Sequence, residues 1–237
     1  MAETLPSIFL KTGEGAIVSY DFVDLSEGTG IIVLYAGVTK NSTSETAILQ
    51  RNTFFNYEGS TKTTSGRSGT YSGYEWGTSL DQTFTLKGTK TFELTAFNMP
   101  QRIGGNMLVQ IPFGSYSTDY GSVSPVSHAI VTVYKDAVQI ATATSDDATG
   151  LDSVLATGIY SFNVAIPATS FKKGEQLKIK VECFLKRSGA AAEVAHIWAF
   201  DPQDTAITTL GVADAEDHLE ISGTTQLKFF VPFKIDL

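Results

Sequence analysis

One cysteine, Cys183, stands in a chain of 237 residues. No intramolecular disulfide and no cysteine-based zinc site can form from it. Charge is scarce as well: 18% of residues are charged against 42% hydrophobic, so Ser, Thr and Gly supply much of the polar surface. That composition suits sandwiches with many turns and argues against disorder. Positive charge is the scarcer sign, 17 Lys and Arg against 25 Asp and Glu, which leaves a net charge of −8. A negative field repels phosphate backbones and anionic membranes, so neither nucleic acid nor a membrane is an expected partner. The longest basic cluster is only Lys172-Lys173. No apolar run reaches bilayer length, which excludes a transmembrane helix. The opening residues Met1-Ala2-Glu3-Thr4-Leu5-Pro6 lack a basic region followed by an apolar run, so no secretory signal is expected.

Alternation is what the chain has in quantity. In the last twelve residues Leu227, Phe229, Val231, Phe233, Ile235 and Leu237 fall on one side of an extended backbone, and Lys228, Phe230, Pro232, Lys234 and Asp236 on the other. A period of two marks a half-buried strand. Similar strands are expected at residues 7–11, 16–22, 45–56, 84–86, 91–97, 107–113, 127–134, 138–144, 158–166, 176–185, 193–200 and 225–237. The continuous apolar run at residues 31–36 reads as a strand covered on both faces. Residues 87–90 and 135–137 read as hairpin turns, Gly104-Gly105 as a β-turn and residues 171–175 as a tight turn. One short helix is expected near residues 213–218, where Asp214, Glu216 and Asp217 suit a first turn. Strand spacing of roughly ten to fifteen residues, without a helical stripe long enough for a crossover, predicts an all-β antiparallel sandwich of jelly-roll or Greek-key type. No fixed repeat period argues for a propeller or solenoid. Residues 1–56 form an N-terminal arm with β-strands, 57–79 a Gly/Ser/Thr/Tyr-rich loop and 80–237 the main sandwich. The first part is either a smaller β unit or continuous with the last.

Chemistry-bearing residues are few. His128, His196 and His218 lack metal-ligand spacing, and each reads as structural or exposed; His196 with Asp201 and Asp204 is the best grouping. Acidic clusters at Asp146-Asp147 with Asp152, at Asp201 with Asp204, and at Asp214, Glu216 and Asp217 read as solvated loops, so no metal and no cofactor is expected. Cys183 reads as a small buried hydrophobe. No Gly-x-Ser-x-Gly elbow, P-loop or dinucleotide fingerprint occurs in a suitable context, and no enzymatic activity is expected. Aromatic residues set in polar, glycine-rich stretches are the stronger candidates: Tyr57, Tyr71, Tyr74 and Trp76, then Tyr116 and Tyr120. Rings in such loops supply contact area at low entropic cost.

A long jelly-roll-like strand set, the turn Phe171-Lys172-Lys173-Gly174-Glu175 leading into a charged alternating strand, low charge, one Cys and a final strand resemble virion structural proteins. The class is that of bacteriophage-like capsid decoration, minor capsid or tail-associated sandwiches. The resemblance implies a rigid block in the virion, made in a host cytoplasm, that assembles with copies of itself or with other virion proteins. Loops and an N-terminal arm bearing Ile8 and Phe9 then make the contacts. The alternative is a carbohydrate-binding or receptor-binding module in which Trp76 and the tyrosines stack on glycans.

Overall fold

A computed structural model describes residues 29–41, 44–53, 61–64, 67–70, 74–117, 123–149, 155–189, 193–202, 204, 221 and 223–234. The expected strands at 7–11 and 16–22 and the helix near 213–218 lie outside these residues. So do Ile8, Phe9, Tyr57, Tyr71, Tyr120, Asp152 and His218.

The described residues form strands and no helix. They are β1 (Thr29–Asn41), β2 (Ser44–Gln50), β3 (Thr61–Thr64), β4 (Arg67–Thr70), β5 (Tyr74–Ser79), β6 (Thr85–Leu94), β7 (Gln101–Ser117), β8 (Pro125–Lys135), β9 (Val138–Thr144), β10 (Ala148–Thr149), β11 (Leu155–Phe171), β12 (Leu177–Arg187), β13 (Val194–Ala199) and β14 (Lys228–Lys234). Twelve of them share one hydrogen-bonded network in the order β10-β8-β12-β6-β2-β1-β14-β7-β13-β5, with β11 on β7 and β9 on β8. All pairings are antiparallel except β2 with β6. β3 and β4 form a separate two-stranded hairpin.

The network folds into two facing layers, β9-β8-β12-β6 and β2-β1-β14-β7-β11. One core joins them: Phe92, Val131, Val133, Ile179 and Val181 from the first layer, Leu34, Val109, Val164, Phe229 and Val231 from the second. Leu34, Leu94, Ile103, Leu177 and Val231, from both layers, surround an interior gap of only about 10 Å³. Apolar burial at roughly 25 cal/mol per Å² is the main force holding such layers together. The all-β sandwich predicted from alternation is therefore observed. The final strand behaves as its pattern demands: Leu227, Phe229 and Val231 are buried, and β14 lies between β1 and β7 near the middle of its layer. β1 and β2 join the same network as the later strands.

Several local expectations are corrected. Residues 87–90 are not a hairpin turn but the middle of β6, with an irregularity opposite Cys183 and Phe184. Gly88 sits there because a Cβ at that position would lie 2.7 Å from Trp198 Nε1. Gly104-Gly105 is not a β-turn but lies inside the 17-residue β7. A Cβ on Gly104 would come within 2.8 Å of Ala168 Cα, and Gly105 has φ +123°, so these glycines permit close approach and a bulge. The run at 31–36 is covered on one face only, since Ile31 is 68% exposed. The stretch read as a long loop carries β3, β4 and β5. The hairpin at Lys135-Asp136-Ala137 is as read, with Asp136 at φ 53°, and the turn after β11 places Gly174 at φ 91°.

Candidate interaction surfaces

The two layers differ on their outer faces. On the first, Lys178 pairs with Glu93 at 2.7 Å and Lys180 with Glu182 at 2.9 Å. Thr132 and Thr142 share a 3.2 Å hydrogen bond. Alternation places these charged and hydroxyl groups opposite the buried Ile179, Val181 and Val133, which is the usual division for a half-solvated sheet.

The second layer carries a group of apolar side chains on its outside. Cross-strand register sets Ile31 opposite Pro232, Val33 opposite Phe230 and Tyr35 opposite Lys228, and Phe230 in turn opposite Leu108 of β7. These side chains alternate with the buried Leu34, Ala36, Phe229, Val231, Met107 and Val109, so they point away from the core. None of the six apolar ones is buried, and Lys228 reaches over the Tyr35 ring at 5.9 Å. Ile31, Val33, Tyr35, Phe230, Pro232 and Leu108 thus make one patch across three adjacent strands. Isolated exposed apolar residues are ordinary, but contiguous ones mark contact surfaces. The sequence carried a trace of it, because Phe230 and Pro232 stand among lysines on the outer side of the last strand.

A second feature is a cleft of about 300 Å³ at the side of the sandwich. Gly158, Ile159, Tyr160 and Ser161 of β11 line one wall, Ser145 to Ala148 the other, and Phe113 contributes to the floor. The Phe113 and Tyr160 rings stack with centroids 4.1 Å apart. Asp147 is hydrogen-bonded to His128 Nδ1 at 3.1 Å.

The histidine grouping is not a site. His196, on β13, is 1% exposed and shares a 2.8 Å hydrogen bond with Ser115 Oγ on β7 rather than meeting Asp201 or Asp204. Its Nε2 has no partner. Burial pulls its pKa down to about 3, so the ring is neutral. Nearby, Tyr160 Oη donates to Ser127 Oγ at 2.6 Å, tying the two layers together, and burial pushes the phenol well above its usual range. Asp204 spends its carboxylate on the backbone N–H of Thr225 and the hydroxyl of Thr224, at 2.6 and 2.9 Å. Cys183 is fully buried and its thiol pKa is raised by that burial. Among the described residues no three His, Cys, Asp or Glu side chains come together as a cation site.

Of the sequence-predicted contact residues, Tyr116 is overturned. It lies in β7, not in a loop, and is 3% exposed. Tyr74 and Trp76 lie on β5, which pairs with β13, rather than on a loop.

Fold and surfaces together define an all-β sandwich that carries ion pairs on the outside of one layer and an apolar patch on the outside of the other. No protein-family model matches the chain, and no curated protein is similar to it. Among solved structures it is similar to an α-amino acid ester hydrolase (11% identity, 62% of this chain, 26% of that one, TM-score 0.37). A CocE/NonD family hydrolase from Staphylococcus aureus is similar as well (11% identity, 87% and 36%, TM-score 0.36). So is the infectious bursal disease virus VP2 subviral particle (11% identity, 91% and 62%, TM-score 0.25). The chain spans about a quarter to three-fifths of the length of these proteins. The expectation of no enzymatic activity is corrected here: hydrolases and an aminopeptidase stand among the similar structures. The viral likeness is to viral and subviral particles and contains nothing specific to bacteriophages.

Proposed function

We propose that this chain is a virion structural protein of bacteriophage-like viruses, built to assemble with copies of itself or with other capsid or tail proteins. The observation that supports it best is the apolar patch of Ile31, Val33, Tyr35, Phe230, Pro232 and Leu108, set against an ion-paired opposite face. Burying such a patch against another copy removes apolar surface from water, and closed symmetry multiplies each contact. An N-terminal arm bearing Ile8 and Phe9, and the aromatic residues Tyr57, Tyr71, Tyr74, Trp76 and Tyr120, are the further contacts in this reading. The virion assignment extends the resemblance of the strand pattern.

The test is the mass of the full-length chain in solution by light scattering. The native chain is expected to be oligomeric, and Phe230→Lys to be a folded monomer with an unchanged far-UV spectrum. Phe230 is only partly buried and its side chain lies outside the core, so lysine there does not enter the packed interior. A native monomer, or an oligomer indifferent to Phe230→Lys and Leu108→Lys, sinks the proposal. Mass spectrometry of purified virus particles tests the location directly.

A further inference from the structure

The outside of the first layer is not polar along its whole length. Its ion pairs, Lys178–Glu93 and Lys180–Glu182, occupy one end of β12. Toward the other end the outward positions of β12 are Phe184 and Lys186, which alternate with the buried Cys183 and Leu185. Register sets Phe184 opposite Leu86 of β6 on one side and opposite His128 of β8 on the other. Leu86 is 47% exposed. The His128 ring lies 5.3 Å from that of Phe184 and 4.2 Å from that of Phe84, which belongs to the connection before β6. Leu86, Phe184, Phe84 and His128 thus make a second patch across three adjacent strands, and none of the four is buried.

The two patches match in build. Each centres on a phenylalanine of a middle strand, Phe230 of β14 or Phe184 of β12, flanked in register by a side chain from each neighbouring strand. Strands lie about 4.8 Å apart, so each row is about 10 Å across. The patches lie outside different layers, on opposite sides of the molecule. Their charges differ as well. β1, β7 and β14, which carry the first patch, contain no Asp or Glu, and Lys228 stands two residues from Phe230. Two such surfaces set face to face would oppose cations with no carboxylate from these strands between them. The second patch has a carboxylate at its rim: Asp147 is 48% exposed and bonded through Oδ1 to His128 Nδ1 at 3.1 Å. The cation of that patch, Lys186, sits over the Phe84 ring at 4.1 Å, and Glu182 is paired with Lys180. Sheets pack either nearly aligned or nearly at right angles. A right-angle crossing lays the direction from Phe230 to Lys228 along the row from Phe184 through His128 toward Asp147. Lys228 is about 7 Å along the strand from Phe230, and its four-carbon stem spans the remainder.

We infer that the apolar patch of one copy packs on this second patch of the next, with Phe230 against Phe184 and Leu86 and with Lys228 beside Asp147. The contact is heterologous, so it builds a ring where the rotation closes and an open stack where it does not. The inference rests on the assembly reading and names the surface that receives the patch.

Light scattering on full-length chains tests it by mixing. Leu86→Lys, like Phe230→Lys, is expected to be a folded monomer, since at 47% exposure the lysine enters water and not the core. An equimolar mixture of the two variants is expected to give dimers and nothing larger. One variant keeps an intact first patch, the other an intact second patch, and a single contact uses up both. Leu86→Lys with the native oligomeric mass overturns the inference and leaves the assembly proposal standing, and so does a mixture that stays monomeric. A native chain that is already monomeric fails the assembly proposal itself. Cysteine linking supplies the second measurement. Cys183 is buried, and Leu86 and Leu108 lie outside opposite layers, so Leu86→Cys with Leu108→Cys joins only different copies. Oxidised and run on a non-reducing gel, that chain is expected to give a ladder, and either cysteine alone to stay unlinked. A linked dimer from one cysteine alone shows like patches meeting and overturns the pairing. No ladder with Leu108→Cys, and none with Val33→Cys on the other flank of Phe230, overturns it too.

Discussion

His196 shows how a side chain that resembles chemistry serves the core instead. Its ring is wedged between β13 and β7, bonded to Ser115, with Phe113 and Tyr160 as aromatic neighbours. The folded chain holds it neutral down to about pH 3, whereas the unfolded chain protonates it near the usual 6.5. Between those values the unfolded state binds the extra proton, so stability rises with pH there. The contribution is complete above 6.5 and is lost as pH falls toward 3, by roughly 1.4 kcal/mol for each pH unit. Urea midpoints taken at pH 7, 6 and 5 are expected to fall steadily. His196→Gln lowers stability at pH 7 by about 1–3 kcal/mol through the disturbed Ser115 contact, but flattens the slope. A slope unchanged by His196→Gln sinks this account. Glu175 adds a second acid-sensitive feature below its usual 4.5. Its carboxylate accepts from Lys135 Nζ at 2.7 Å and from the Lys172 backbone N–H at 2.6 Å, which holds its pKa down. The sign is the same: the stabilisation is present at higher pH and fades as the carboxylate protonates.

At the scale of elements, glycines decide where strands approach one another. Gly88 lies mid-strand in β6 under the Trp198 indole, and a methyl there would collide with Nε1 at 2.7 Å and crowd Glu75 Cβ at 3.2 Å. Gly88→Ala is expected to destabilise by about 1–3 kcal/mol, the usual range for overpacking. A shift below about 0.5 kcal/mol in urea titration would show that the indole moves aside freely. The same residue explains a misreading. A Lys-Gly-Thr-Lys stretch between alternating runs has the chemistry of a turn, and only Trp198, 110 positions later, makes the glycine necessary for packing. Gly104-Gly105 was opaque for the same reason, since Ala168 and Pro232 define its role. Period-two patterns, by contrast, are local. The strands at 107–113, 127–134 and 176–185 were legible because a buried residue recurs at every second position along each. Strand order was not legible, as no local signal tells β14 to enter between β1 and β7. The apolar patch was hidden for a like reason: Val33, Phe230 and Leu108 are far apart in sequence and meet only through register.

For the whole molecule, the difference between the two outer faces sets what kind of force holds copies together. An assembly joined through the Lys178–Glu93 and Lys180–Glu182 face would weaken with salt, because exposed pairs are screened beyond a Debye length of about 8–10 Å. One joined through Ile31, Val33, Phe230, Pro232 and Leu108 answers to temperature instead. Near 25 °C apolar burial is driven almost entirely by entropy, and it weakens on cooling. The net charge of −8 opposes association at low salt, and added salt relieves that repulsion. The solution mass is therefore expected to hold or rise between 0.05 and 1 M NaCl, and to fall when a dilute sample is cooled from 25 to 4 °C (the concentrations and temperatures being about those at which screening and the entropic term separate). Phe230→Lys abolishes the temperature dependence by removing the association it acts on. Dissociation by salt, with no response to cooling, would move the contact to the ion-paired layer and leave the apolar face without a role in assembly.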